Sequence, residues 1–258
     1  MKYGLNLYSL RTLIQTEEDF LKVALALKEM GYDYLQYSGA EFLPDRIGRV
    51  SKQSGLPVVL THVEYDDIVS HTQKLMDDHA SFGCKYIGLG GLSQDVHRDR
   101  NQMLSVIDRL ERAAEVMHEN GFCFFYHHHH YEFARHEDGT VLDYMLKNAP
   151  HVHITADTYW LQYGGVDVVK TLKRLDGKIE CLHLKDYRVD YGIDQSEKKM
   201  IPRFAPVGDG NLDFKEIIAT AKTCGSKYFL VEQDNAVFAK DPMGEVKRSI
   251  DYLRRVLP

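Results

Sequence analysis

The sequence predicts an α/β chain folded as a single-domain (β/α)8 TIM barrel, and three observations predict it. Short apolar, β-rich runs alternate with longer segments of helical period, and the alternation repeats eight times. The length of 258 residues is ordinary for a barrel built as one unit. No break in composition marks a second domain, so residues 1–258 read as one barrel.

The strands are expected, in order, at Tyr3–Tyr8, Tyr34–Tyr37, Val58–His62, Tyr86–Leu89, Phe122–His127, Val152–Ala156, Ile179–Leu184 and Tyr228–Glu232. Between them, helices declare themselves by apolar stripes at spacings of three and four. Phe20, Val23, Leu27 and Met30 form one stripe, Met103, Ile107, Leu110, Ala114 and Met117 a second, and Val246, Ile250, Leu253 and Leu257 a third. Thr16 with Asp19, and Asp213 with Glu216, have the spacing that satisfies free N–H groups in a helix's first turn. Gly31, Gly55, Gly83, Gly121 and Gly225 each fall just before a strand, where a helix end needs a positive-φ residue. The one long connection, Tyr187–Leu212, follows the seventh strand. In a barrel it lies over the C-terminal mouth, the place for a substrate lid.

Composition narrows the function. Hydrophobic residues make up 44% and charged residues 27%, which suits a packed core. A net charge of −6 argues against a surface built for nucleic acid, because phosphate neutralisation needs basic residues. Met1 runs straight into the first strand, with no leader-like segment and no membrane-length apolar stretch. Cys84, Cys123, Cys181 and Cys224 are scattered in or near apolar runs and form no C-x-x-C pair. Buried, reduced thiols in a cytoplasmic protein are the expectation.

Barrel active sites gather at the C-terminal strand ends. Asp157, His183 and Glu232 each follow directly on an apolar strand core, on strands six, seven and eight. Neighbouring strands lie about 4.8 Å apart, so these side chains converge on one point. Each alone would pass for a strand or helix cap. Two carboxylates and an imidazole together suit a divalent ion, Mn²⁺ first, with Mg²⁺, Co²⁺ or Zn²⁺ as alternatives. Strand five runs into His127-His128-His129-His130-Tyr131-Glu132, and strand alternation puts His127 and His129 on one face. Glu132 is taken as the fourth ligand and His127 or His129 as proton carrier, with the reverse as the alternative. Lys185 shares a face with His183 and is placed to bind a substrate oxygen or a developing enediolate, unless an ion pair with Asp186 or Asp157 claims it. Gln36 and His62 are hydrogen-bonding candidates, and Tyr8, Tyr159 and Trp160 candidates for an aromatic wall. Gly208-Asp209-Gly210 reads as a plain turn, because Asp209 would repel an anion cradled there.

At these residues the chain resembles the sugar phosphate isomerase/epimerase family of xylose-isomerase-like barrels. The resemblance spans essentially the whole chain. It runs from Leu7-Tyr8-Ser9-Leu10-Arg11 through Tyr126–Phe133, Asp157-Thr158-Tyr159-Trp160 and His183-Leu184-Lys185-Asp186 to Pro206–Leu212 and Val231-Glu232-Gln233-Asp234. It implies a divalent metal held by a Glu, an Asp, a His and a second Glu at the ends of strands five to eight. The match is direct at Asp157, His183 and Glu232. It departs on strand five, where many relatives carry Glu at the position of His127 and close ones read His-Asn-His for His127-His128-His129.

The expected activity is therefore metal-dependent sugar isomerisation or epimerisation. A proton would move through a metal-stabilised enediolate, carried by His127, His129 or Glu232 with Lys185 assisting. A lyase or dehydratase of a keto-sugar, keto-glycoside or inosose shares the first half of that chemistry. An abasic-site endonuclease would need more metal ligands and a basic face, and an inert sugar-binding barrel would leave the aligned Asp157, His183 and Glu232 unexplained. The expected partner is a small sugar or polyol, with no nucleic acid and no membrane, and homo-oligomerisation is left open.

Overall fold

The computed structural model describes residues 1–191 and 199–256. Within them eight parallel strands close into a barrel: β1 Gly4–Asn6, β2 Tyr34–Tyr37, β3 Val58–Val63, β4 Tyr86–Leu89, β5 Cys123–His127, β6 Val152–Asp157, β7 Cys181–Leu184 and β8 Tyr228–Val231. Each strand pairs with its neighbours in sequence, and β8 closes on β1 with Leu5 opposite Val231. Around them run α1 Glu17–Met30, α2 Pro44–Ser54, α3 Tyr65–Ser70, α4 Thr72–Ser81, α5 Arg100–Glu119, α6 Val141–Asn148, α7 Thr158–Tyr163, α8 Val168–Arg174, α9 Phe214–Thr223 and α10 Pro242–Val256.

The helices turn their expected stripes inward. Phe20, Val23 and Leu27 of α1, Met103, Ile107, Leu110, Ala114 and Met117 of α5, and Val246, Ile250 and Leu253 of α10 are all buried. Leu257, assigned to the third stripe, lies outside the described residues. Burying side chains of this size contributes about 1.5–3 kcal/mol each. Thr16 Oγ1 accepts the Asp19 N–H at 3.1 Å, and Gly31 ends α1 with φ at 98° and its N–H on the Lys28 carbonyl. The four cysteines are free; Cys123 is half-buried and the others are buried. Among the described residues no helix is long and apolar enough to cross a membrane.

Two segments differ from expectation in ways that shape the site. The first strand stops at Asn6, not Tyr8, because the Asn6 side chain accepts the Tyr8 N–H at 3.1 Å and starts a 3-10 stretch over Leu7–Leu13. Tyr8 thereby leaves the barrel wall and stands at its mouth. Within the connection after β7, expected as a lid, Asp186–Asp190 pairs antiparallel with Ile201–Ala205, and residues 192–198 lie outside the described residues. Beyond that hairpin the chain folds back on Asp186. The Asp186 carboxylate accepts the N–H groups of Gly208 and Gly210 at 3.0 Å and of Leu212 at 3.2 Å. The glycine turn is filled by the chain's own carboxylate.

Candidate metal centre

Strand register brings the site together. Asp157 is the register partner of His183, and the Glu232 N–H bonds the Leu184 carbonyl at 3.1 Å, so strands six, seven and eight end at one level. Across the closure, Asn6 and Gln36 are register partners at the same height. One ligand atom from each of His127, Asp157, His183 and Glu232 lies within 4.8 Å of the other three, and all four residues are buried.

Hydrogen bonds outside this group fix which imidazole nitrogens face in. Gln36 lies between two histidines: its Oε1 is 2.7 Å from His183 Nε2, and its Nε2 is 2.8 Å from His62 Nε2. The carbonyl oxygen can only accept, so His183 donates from Nε2 and turns Nδ1 toward the cluster. That Nδ1 stands 2.9 Å from Glu232 Oε2 and 3.7 Å from Asp157 Oδ2 without a hydrogen bond of good geometry. His127 repeats the arrangement. Its Nδ1 donates to the Gly90 carbonyl at 3.2 Å, turning Nε2 toward Asp157 Oδ2 at 3.3 Å. Two imidazole nitrogens thus face two carboxylates in a buried space, a donor set that a cation would satisfy. Burial opposes charge on His183, yet the Glu232 and Asp157 carboxylates overcome it and lift the ring to about 9. Burial likewise opposes ionisation of Asp157, but Lys185 and the histidines hold it well below the carboxylate range. The residues fit a divalent ion.

Each carboxylate divides its oxygens between structure and centre. Asp157 Oδ1 caps α7 by accepting the Trp160 N–H at 2.9 Å, leaving Oδ2 for the cluster. Glu232 Oε1 accepts from Asn6 Nδ2 at 2.7 Å, leaving Oε2. Lys185 is buried with its ammonium 2.6 Å from Asp234 Oδ1, 3.3 Å from Glu232 Oε2 and 3.6 Å from Asp157 Oδ2, beside the rings of Trp160 and Phe204. Burial disfavours that charge, and the three carboxylates more than restore it. Asp186, the other partner weighed for Lys185, is engaged by the glycine turn instead.

Strand five is where the expectation changes. Glu132 is not placed as a ligand: its carboxylate accepts the Tyr126 hydroxyl at 2.5 Å and the His129 N–H at 2.7 Å, with His97 Nε2 at 3.2 Å. A 3-10 turn over His130–Phe133 points the side chain back under the strand end, into a buried polar niche. His127, expected as a proton carrier, contributes a ligand atom to the four-residue cluster instead. His128 faces away, accepting the Asp157 N–H at 3.1 Å on Nε2, and His130 stacks on Trp160 with ring centres 5.2 Å apart. His129 lines the cleft beside His127, with Nδ1 2.9 Å from the Tyr131 hydroxyl, and burial pushes its pKa down to about 2.

Tyr8 and His62 line the cleft, whereas Gln36 is fully buried and orients histidines from behind. Trp160 packs against Lys185 and His129, its buried indole N–H without a partner. Sequence reasoning did not single out Asn6, the Gly90 carbonyl or Asp234 as parts of the site. Asn6 was findable as the polar end of strand one at the level of Gln36; a backbone carbonyl carries no sequence signal.

Over 202 residues, 68% of this chain, the sequence is 27% identical to an inosose dehydratase from Geobacillus kaustophilus (strain HTA426). The match spans 64% of that relative's length. The fold superposes on a sugar phosphate isomerase/epimerase from Parabacteroides distasonis ATCC 8503 with a TM-score of 0.79 at 22% identity, covering 99% of this chain and 94% of that one. It also superposes on a xylose isomerase-like TIM barrel protein from Mycobacterium smegmatis in complex with magnesium, with a TM-score of 0.72 at 16% identity over 99% and 96% of the two chains. Residues 24–256 match the family described as xylose isomerase-like TIM barrel, which takes in β2 to β8 and every residue of the cluster. The closed eight-stranded barrel and that match together show that the chain belongs to the xylose isomerase-like TIM barrel family.

Proposed function

We propose that the chain is a divalent-metal-dependent isomerase or epimerase of a sugar or polyol, with Mn²⁺ as the first candidate ion. The observation that carries this reading is the buried cluster of His127, Asp157, His183 and Glu232, one ligand atom from each lying within 4.8 Å of the others. A 2-His, 2-carboxylate set accepts Mn²⁺, Co²⁺ or Zn²⁺ and tolerates Mg²⁺. When bound, such an ion supplies Lewis-acid polarisation of a carbonyl and its neighbouring hydroxyl.

The chain's own residues supply the rest. His129, kept neutral by burial at the cleft wall, takes the proton from the carbon alpha to the carbonyl and delivers it to the former carbonyl carbon, while the alpha hydroxyl proton passes to the former carbonyl oxygen. Lys185 donates to the substrate oxygen on which negative charge grows, and Asp234 holds the ammonium in place. Glu232, with Oε1 held by Asn6, serves as a ligand and not as the moving base. Tyr8 and His62 wall the open side. That 1,2-shift conserves mass and is isomerase chemistry; epimerisation would need a second group to deliver the proton on the opposite face of the same carbon.

Solvent deuterium should enter the true substrate at the alpha carbon, with a product of unchanged composition. His183→Ala should abolish metal binding and turnover together. His129→Asn should keep the metal and lose at least about 100-fold in turnover. Protein free of metal after purification and not activated by any of these ions would overturn the reading. The 27% match to an inosose dehydratase favours one alternative: a protonated His129 could also hand its proton to a β-leaving group. A product lighter by water would establish that instead.

A further inference from the structure

Gln36 joins two imidazoles through one amide, and an amide has two unlike ends. Its oxygen accepts and its NH₂ group donates. His183 Nε2 meets the oxygen at 2.7 Å, and His62 Nε2 meets the NH₂ nitrogen at 2.8 Å. The cluster decides which end faces which ring. His183 can offer Nδ1 to an ion only with its lone pair there, so its proton sits on Nε2 and takes the amide oxygen. The NH₂ group is left for His62, whose Nε2 must accept. A proton on that nitrogen would set donor against donor beside the fully buried Gln36. His62 therefore carries its proton on Nδ1.

That N–H is weakly held and turned to the cleft. Among the described residues its hydrogen-bonding neighbour is Ser38 Oγ, 3.4 Å away and a long contact. Gly90 lies beside it, but the Gly90 carbonyl already accepts from His127 Nδ1 at 3.2 Å. The missing side chain of Gly90 keeps the approach open, since a β-carbon there would stand 3.1 Å from His62 Nδ1. His62, Ser38 and Gly90 all line the cleft over the cluster. Stacking on His127, with ring centres 5.4 Å apart, holds the imidazole plane and so the direction of the N–H.

We infer that His62 is a specificity-determining residue: a hydrogen-bond donor, fixed in its Nδ1–H form by Gln36, that recognises one oxygen of the substrate beside the cluster. Gln36 is its positioning residue. The inference deepens the proposed function and rests on its use of His183 Nδ1 as a ligand.

The first measurement is imidazole ¹⁵N NMR on histidine-labelled protein loaded with Zn²⁺, which is diamagnetic. His62, identified by the resonances that His62→Asn removes, should carry its proton on Nδ1. Gln36→Glu still accepts from His183 Nε2 but offers His62 an acceptor in place of the NH₂ group. It should keep the metal and put a proton on His62 Nε2. The second measurement is equilibrium binding of the 2-ketohexoses and of the deoxy analogues of the tightest binder. Removing one particular hydroxyl should cost about ten-fold or more in the unmodified protein and almost nothing in His62→Leu. His62→Asn, whose amide can place an N–H where Nδ1 stands, should restore much of that discrimination. A His62 proton on Nε2 in the unmodified protein, an unchanged His62 pattern in Gln36→Glu, a deoxygenation cost that survives in His62→Leu, or no binding by any sugar of the panel would each overturn the inference. Deuterium exchange separates it from the reaction. The expected His62 pattern and discrimination without exchange would sustain the donor and defeat the isomerase chemistry, whereas exchange with His62 protonated on Nε2 would do the reverse.

Discussion

Glu132 lies five positions from His127, yet its carboxylate serves a different set of groups. Both of its oxygens are taken, by the Tyr126 hydroxyl and the His129 N–H, so it holds the backbone that presents His129. Glu132→Gln should therefore leave metal affinity within about three-fold while costing about 1–3 kcal/mol of stability, since an amide N–H₂ replaces one acceptor in a buried niche. His127→Asn should do the opposite, weakening the metal by about 10–100-fold with little change in melting temperature of the metal-free chain. Metal titration and thermal melts on both variants separate the roles; metal loss in Glu132→Gln would return it to the ligand set. Gln36 makes a related case. It touches no metal position, but its amide sets the tautomer of His183 and contacts His62. Gln36→Leu should cost about ten-fold or more in metal affinity, because His183 can then protonate either nitrogen. An unchanged affinity would show that the carboxylates alone orient the ring.

Among the elements, α4 carries a histidine whose environment forbids charge. His79 is fully buried, with Nδ1 2.6 Å from the Leu75 carbonyl and Nε2 2.7 Å from Thr61 Oγ1. Burial pushes its pKa from 6.5 down to about 4. The folded chain therefore keeps the ring neutral at a pH where the unfolded chain would protonate it. Its contribution is full above pH 6.5 and is lost as pH falls toward 4, on the order of 3 kcal/mol in all. Denaturant melts at pH 7, 5.5 and 4.5 should show a shallower acid decline for His79→Gln than for the unmodified chain; parallel declines would remove His79 from the acid response. The turn after the β7 hairpin is stabilised the same way, by a buried group meeting all its partners. Asp186→Ala strands three N–H donors, and a side chain at Gly210 would run into the Asp186 carboxylate and the Tyr187 carbonyl.

At the scale of the whole molecule, the cluster spans strands five to eight, so a bound ion ties half of the barrel circumference together. An ion that binds the folded chain alone stabilises it by mass action, about 2.7 kcal/mol at a concentration of 100 times Kd. For a chain near this size, that is a rise in Tm of about 5–10 °C. Calorimetry with Mn²⁺ should show the rise, a chelator should reverse it, and His183→Ala should abolish it. An equal rise in the His183→Ala protein would place the ion elsewhere.

The sequence by itself determined the barrel and three members of its cluster. Eight β-rich runs, inward stripes such as Phe20–Val23–Leu27, and polar residues at the ends of strands six to eight are periodic signals written locally. Strand order follows from them because consecutive parallel strands pair. Asp157, His183 and Glu232 were legible for the same reason: each directly follows an apolar core, and strand spacing converts that position into convergence. The tertiary structure alone decided strand five. There the sequence offers a run of four histidines and a glutamate within six residues, and strand alternation narrows the choice without naming a ligand. That His127 and not Glu132 joins the cluster turned on the Gly90 carbonyl, which aims His127 inward, and on Tyr126 with the His129 N–H, which draw Glu132 away. Gln36 and Asn6 act on side chains 147 and 226 positions distant. Such partners meet only when the barrel closes, and closure is a property of the whole sheet that no local pattern records.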